Sequence, residues 1–265
     1  HRYFNKLPFS YNICYAESKD GLRWVKPPLG IFKHEDDPAN NCIVLGLDKT
    51  QAIDVCLNPR PEEYPGRFLA IHNQKGGVFV SSSGDGKTFT ILHGTPAIPY
   101  HSDTHNNFVY DDVRDRWLIF CRPRAYAGDH KRRVSFQTSS DLKTWTHDRT
   151  VLIPTETETQ EFYGMTVFRL GDLFWGMVQV YDRQTGFMHG ELAWSGDGEH
   201  WSQVATHPTT LERGSAGGWD HAMVIAADTP VTHGDELRFY YGGSALRHDD
   251  TDNPRAIGMA TAERD

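Results

Sequence analysis

The 265-residue sequence holds no run of 18 apolar residues and no basic start followed by an apolar core, so neither a membrane span nor a signal peptide is visible in it. It has no excess of positive charge. Lys and Arg number 27 against 35 Asp and Glu, a formal net charge of −8, which argues against nucleic acid or an anionic membrane as partner because both reward a basic surface. Cysteine is scarce: Cys14, Cys42, Cys56 and Cys121 lie in apolar, strand-like runs without Cys-x-x-Cys spacing. They are expected to be buried free thiols rather than a disulfide framework. The 14 histidines include no His-Glu-x-x-His or other ligand spacing, so no zinc site and no cofactor is expected, although a cation held by Asp, Asn, His and water stays compatible with the sequence. A helical period of useful length is missing too, while 24 Gly and 14 Pro suit a chain of many turns.

What is present is a repeat. Ser18-Lys-Asp20-Gly21-Leu-Arg-Trp24 returns as Ser83-Gly-Asp85-Gly86-Lys-Thr-Phe89, Ser139-Ser-Asp141-Leu142-Lys-Thr-Trp145 and Ser195-Gly-Asp197-Gly198-Glu-His-Trp201, each behind a short apolar or alternating run. A further run, 256–261, ends at Asp265 and reads as a truncated copy. Such a unit is a hairpin turn whose Asp accepts backbone N–H groups, whose Gly supplies positive φ and whose aromatic packs under the loop, so the box aspartates are structural. The Asp positions 20, 85, 141, 197 and 265 are 65, 56, 56 and 68 residues apart. That step fits a four-stranded propeller blade and is too long for a solenoid rung of about 20 to 30 residues. The fold expected is all-β: a five-bladed β-propeller filling residues 1–265 as one domain, with one blade incomplete and flanking sequence expected beyond both ends.

The boxes resemble the Asp-box motif of sialidases and other carbohydrate-active β-propellers. The phrase 15–24, Tyr-Ala-Glu-Ser-Lys-Asp-Gly-Leu-Arg-Trp, is also similar to sequences of family 32-like and family 43-like glycoside hydrolases. That resemblance implies a five-bladed propeller with three acidic residues at the mouth of a central funnel, a carbohydrate as partner and, from the function class alone, a secreted or periplasmic location. A sialidase would bring three arginines, a Tyr/Glu pair and six blades. The length here supports five, and no Arg-Ile-Pro is present.

Read in order, the first complete blade takes its inner strand from 41–45, then strands near 51–57 and 67–72. The second runs through 107–110 and 116–121, the third through 163–168 and 173–180, and the fourth through 221–225 and 236–241. In a propeller the innermost strands converge, so the segments that enter them are where chemistry is expected. These entrances contain Asp36, Asp37, Asn40 and Asn41; His101, Asp103, His105, Asn106 and Asn107; Glu156, Glu158, Glu161 and Tyr163; and Trp219, Asp220 and His221. Asp37-x-x-Asn40-Asn41 and Asp103-x-x-Asn106-Asn107 share one pattern and are expected to occupy equivalent places.

Loops before strands are ordinarily rich in Asp, Asn and Thr, and each of these residues taken singly fits that plainer account. Together, carboxylates converging on one site raise one another's pKa, as general acid catalysis requires, and a glycosidase needs one carboxyl group as acid and another as nucleophile or base. The resemblance places the acid at Glu161 and the substrate-orienting aspartate at Asp103. The base or nucleophile falls to Asp37 or Asp220, because the family's Asn-Asp-Pro-Asn and Arg-Asp-Pro motifs are absent. Phe162, Tyr163 and Met165 are expected to wall Glu161 with apolar surface. His105, Tyr163, Trp219 and His221 offer flat rings and donors for a sugar, with Asn41 and Asn106 beside them. At the outer strand ends, Arg122 and Arg124 could clamp an acidic sugar or pair with Asp182. A propeller of this kind can also bind carbohydrate without catalysis.

Overall fold

The structure is a computed structural model that describes residues 13–32, 37–45, 50–126, 128–204, 209–250 and 255–264. No helix occurs among the described residues, and so none that could cross a membrane. The all-β expectation holds. The chain divides into two compact units, 2–103 with 142–144, and 104–141 with 145–265.

In the unit of 2–103 the strands are β1 (Val44–Leu45), β2 (Gln51–Leu57), β3 (Phe68–Gln74), β4 (Gly77–Ser83) and β5 (Thr88–Ile91), in sheet order β1-β5-β4-β3-β2. β2 to β5 form an antiparallel meander, whereas β1 lies parallel to β5. The inner strand expected at 41–45 is therefore two residues at the opposite edge, and β2 takes the first place. Backbone pairing decides this: Cys42 bridges Cys14, and Ile43 N donates to Ile13 O at 3.0 Å, so the apolar run serves the segment before it. The thiols differ from expectation as well. Cys14 is exposed, Cys56 is half-buried, and Cys14 and Cys42 lie 3.7 Å apart at sulfur. Burial and the neighbouring thiol push Cys42 up to about 12.

β4 is covered on both faces, which accounts for its unbroken run of small and apolar side chains. His72 on β3 is fully buried, and its Nε2 lies 2.7 Å from Ser81 Oγ. Burial lowers its pKa from the ordinary 6.5 to about 4. The unfolded chain thus takes up this proton before the folded one does, and stability should fall as pH drops from 6.5 toward 4, by at most about 3 kcal/mol. Urea midpoints from pH 7 to 4 test this. His72→Gln, which cannot titrate, should lose most of the slope, and an unchanged slope would contradict the assignment.

In the second unit β6 (Asn107–Asp111), β7 (Arg116–Cys121), β8 (Val134–Ser139) and β9 (Arg149–Leu152) form a four-stranded antiparallel sheet in chain order. β10 (Gln160–Leu170), β11 (Leu173–Asp182) and β12 (Phe187–Ser195) follow, and the short β13 (Ser202–Gln203) and β14 (Thr209–Leu211) both pair with β12. Then come β15 (Met223–Ala226), β16 (Val231–His233), β17 (Glu236–Ser244) and β18 (Arg255–Glu263). One parallel pair, Met188 with Met223, joins β12 to β15. Phe120 and Phe136 pack with Phe162, Phe174 and Val178 in a core drawn from both of the first two sheets.

The box turns are built from their own residues. Asp20 Oδ1 accepts the amides of Leu22 and Arg23 at 2.8 Å, and Ser18 Oγ accepts that of Gly21 at 2.8 Å. The same bonds recur at Ser83 and Asp85 and at Ser195 and Asp197. Each box Gly has φ between +71° and +76°, and Leu142 adopts +59° in the remaining copy. Amide donors hold Asp20 and Asp85 below the usual carboxylate value; at Asp197 burial works the other way and the donors prevail. Phe89 is buried and Trp145 and Trp201 are half-buried, but Trp24, expected under its turn, is 48% exposed. Its indole N–H donates back to Gly21 O in the same turn, at 3.2 Å. The truncated copy at Asp265 lies outside the described residues.

Candidate active site

Glu161 and Asp220 belong to the second unit, and Asp37 and Asp103 to the first. Glu161 is the second residue of β10 and is 2% exposed. Alternation along the strand sends Phe162 into the core and leaves Glu161 on the face of its cross-strand partner Tyr181. The apolar wall expected from Phe162 and Met165 is thus absent, since both side chains pack in the core cluster. Guanidiniums stand there instead: Arg132 Nη1 bonds Glu161 Oε2, and Arg183 Nε lies 3.2 Å from Oε1. Backbone bonds deliver both arginines, because Phe162 N donates to Arg132 O and Arg183 N to Thr159 O, each at 3.0 Å. Burial opposes the Arg132 charge, but the bond to Glu161 raises its pKa above the ordinary arginine value.

A β-bulge follows at once. The register slips between Phe162 and Gly164, so Tyr163 is the extra residue and its side chain is re-aimed. The carbonyl released by the bulge accepts Thr104 Oγ1 at 2.7 Å and Arg122 Nη2 at 3.4 Å. Gly164 permits that approach, as a Cβ there would come 2.6 Å from Thr104 Oγ1. The Tyr163 ring lies under the guanidiniums of Arg122, at 4.6 Å, and Arg132, at 5.3 Å, and meets Tyr181 edge to face. Its hydroxyl is 2.8 Å from His248 Nε2, and His248 Nδ1 is 2.6 Å from Asp249 Oδ1. Burial, then the charge of Asp249, raises the Tyr181 phenol.

Asp220 sits in the turn before β15, 9% exposed, where its Oδ2 accepts the Tyr241 hydroxyl at 2.9 Å. Burial and that bond push Tyr241 up to about 12. Trp219 stacks on Tyr241 with centroids 5.8 Å apart and an interplanar angle of 13°, and it is 44% exposed. Glycines make the room: a Cβ at Gly214 would lie 2.0 Å from Asp220 Oδ1, and one at Gly243 would lie 2.5 Å from the indole. The Asp220 and Glu161 neighbourhoods adjoin one cluster, in which Tyr163 and Phe187 pack against Tyr181, Ala222 and Met223.

The other expected residues meet different partners. His221 packs its ring on Phe187 and accepts Arg213 Nη1 at its carbonyl. The half-buried His105 is lowered by desolvation, offset in part by Asp228, and its Nε2 is enclosed without a hydrogen-bond partner among the described residues. Asn106 Nδ2 donates to Thr104 O, and Asn41 Nδ2 to Tyr15 O. The two Asp-x-x-Asn-Asn patterns are not equivalent: Asn107 opens β6 and accepts Val167 N at 2.9 Å, while Asn41 precedes the edge residues of β1. Asp37 lies in a turn whose carbonyl accepts Asn40 Nδ2, and Asp36 is outside the described residues. Asp103 is exposed, 3.9 Å from His101 Nε2. Asp182 does not meet Arg122 or Arg124. It accepts the amide of Gln184 in its own turn, while the Arg124 amide donates to Asp148. Among the described residues no group of three or more His, Cys, Asp and Glu could hold a metal ion. Arg132 and His248 were missed in the sequence, where each sits in a polar loop without a pattern.

No protein-family model and no curated protein matches the chain. Solved structures do. An N-acetylgalactosamine deacetylase from F. plautii, in complex with blood group B trisaccharide, is 20% identical with a TM-score of 0.65 over 94% of this chain and 80% of its own. A thermostable family-43 glycoside hydrolase is 14% identical, TM-score 0.58, over 82% and 72%. A structure from the GH130 family of mannoside phosphorylases, which contains glycoside hydrolases that target β-1,2 mannosidic linkages in Candida mannan, is 14% identical, TM-score 0.55, over 76% and 65%. For that protein and several others the chain spans under two thirds of the length. The neighbours in structure thus include a deacetylase alongside glycoside hydrolases of the family-43 and GH130 kinds, and at these identities the likeness is one of fold.

Proposed function

We propose that the protein cleaves glycosidic bonds in an oligo- or polysaccharide, with Asp220 the carboxyl group at the scissile bond and Trp219 the platform beneath the sugar. The closed five-bladed ring of a single domain belongs to the same reading. What carries it is the Trp219, Tyr241 and Asp220 assembly: an exposed indole backed by a second ring beside a nearly buried carboxyl group. A sugar presents C–H faces to such a ring and hydroxyls to the polar rim. Glu161, held between Arg132 and Arg183, orients those two cations rather than donating a proton. A phosphorolytic variant is favoured by one observation, the three guanidiniums of Arg122, Arg132 and Arg183 around Tyr163 and Glu161.

The test is a panel of aryl furanosides, pyranosides, sialosides and plant or algal polysaccharides, incubated with and without inorganic phosphate and resolved by chromatography. Free sugar in both conditions supports hydrolysis. A sugar phosphate that forms only with phosphate establishes the variant. Glycan retention on affinity gels without any product would make the protein a binding module and overturn the proposal.

A further inference from the structure

The contacts of Tyr163 go beyond what sugar binding asks of a ring. Asp249 Oδ1 lies 2.6 Å from His248 Nδ1, and a carboxylate only accepts, so His248 carries its proton on Nδ1. The bare Nε2 then accepts the Tyr163 hydroxyl at 2.8 Å. Two cations, Arg122 and Arg132, cover the same ring. The loop is held for this purpose, as His248 N donates to Gly186 O at 3.2 Å and Arg247 N to Asp250 Oδ2 at 2.8 Å. The bulge at residue 163 brings the phenol to it.

We propose that Tyr163 is a catalytic residue that exchanges a proton with a hydroxyl of the substrate or with water, through a relay in which His248 is the base and Asp249 the positioning residue. As Tyr163 Oη accepts the substrate's proton, its own proton passes to His248 Nε2, leaving an imidazolium against the Asp249 carboxylate; no bond to carbon forms in this step. The groups facing His248 and Tyr163 are Asp249, Tyr181, Arg122 and Arg132, with Glu161 opposite Tyr181. The catalytic role rests on the glycan reading above, whereas the activation of the phenol does not.

An arylsulfonyl fluoride separates the two. The phenol oxygen bonds sulfur, fluoride leaves, and the phenol proton goes to His248. Peptide mass spectrometry of the intact protein should find Tyr163 modified ahead of the other tyrosines, with the rate followed against pH. His248→Gln should slow this about 10²-fold and change the pH profile. Asp249→Asn should lie between. An unmodified Tyr163 in the wild type, or an unchanged rate and pH profile in a correctly folded His248→Gln, overturns the relay. With a cleaved glycan in hand, Tyr163→Phe should lower kcat by about 10²-fold at constant KM, and an unchanged kcat overturns its catalytic role. If no glycan is cleaved yet labelling follows His248, the glycan reading fails and the activated phenol stands.

Discussion

Asp220→Asn should leave the fold intact and lower turnover on the glycan that the panel identifies by about 10²–10⁴-fold, the usual contribution of a positioned acid or base. The substitution is nearly isosteric, and the side-chain oxygen that accepts the Tyr241 hydroxyl at 2.9 Å is retained, so the Trp219 stack should survive. Burial, the largest cause that raises the Tyr241 phenol, is untouched by the substitution, so the hydroxyl keeps its proton near neutral pH and goes on donating it. What is lost is a group that can carry a proton or a negative charge. The leaving group tells which. If Asp220 is the acid, aryl glycosides with activated leaving groups need no proton and should lose far less than natural linkages. An equal loss on both kinds makes it the base or nucleophile. Wild-type turnover in Asp220→Asn, with an unchanged circular dichroism spectrum, would remove Asp220 from the chemistry.

The largest expected effect on stability comes from Gly77→Ala. Gly77 opens β4 at φ +138°, a region that residues with a Cβ rarely enter, and an added Cβ would stand 2.0 Å from Ile98 O. That oxygen cannot step aside, because it accepts Val78 N at 2.9 Å while Ile98 N donates back to Val78 O at 3.2 Å. Backbone strain of about 1–3 kcal/mol and overpacking of a similar size add to a cost of about 2–6 kcal/mol. Gly84→Ala is the control. A Cβ at that position meets nothing within 4 Å, and the change should stay within about 0.5 kcal/mol. Urea denaturation of the two variants beside the wild type decides it, and indistinguishable midpoints for both would refute the argument.

The box turns were readable because each is closed by bonds that span only two or three residues, from Ser18 and Asp20 to the amides that follow them. The aromatic at the end of each box was readable only as a type. Whether it is buried depends on what covers it, and Trp24 and Phe89 differ there. The run at 41–45 misled for the same reason: its composition is that of an inner strand, but its partners are Ile13, Cys14 and β5.

At the site, Glu161, Tyr163, Trp219 and Asp220 were legible as polar and aromatic residues crowding the entrances to strands. Their environments were not. Arg132 lies in the stretch Lys131-Arg132-Arg133 and His248 before Asp249 and Asp250, neither of which carries a motif or a period. A backbone bond from Phe162 to Arg132 and one from His248 to Gly186 carry them to Glu161 and Tyr163. Period-two alternation and turn chemistry, which act over a few neighbouring residues, were enough for the sequence by itself to determine an all-β chain, its repeated turns and the strand openings where polar and aromatic residues gather. The order of β1 in its sheet, the bulge that turns Tyr163 toward His248, and the exchange of an apolar wall for two guanidiniums around Glu161 were decided by tertiary structure, because each depends on pairings between distant segments that only packing selects.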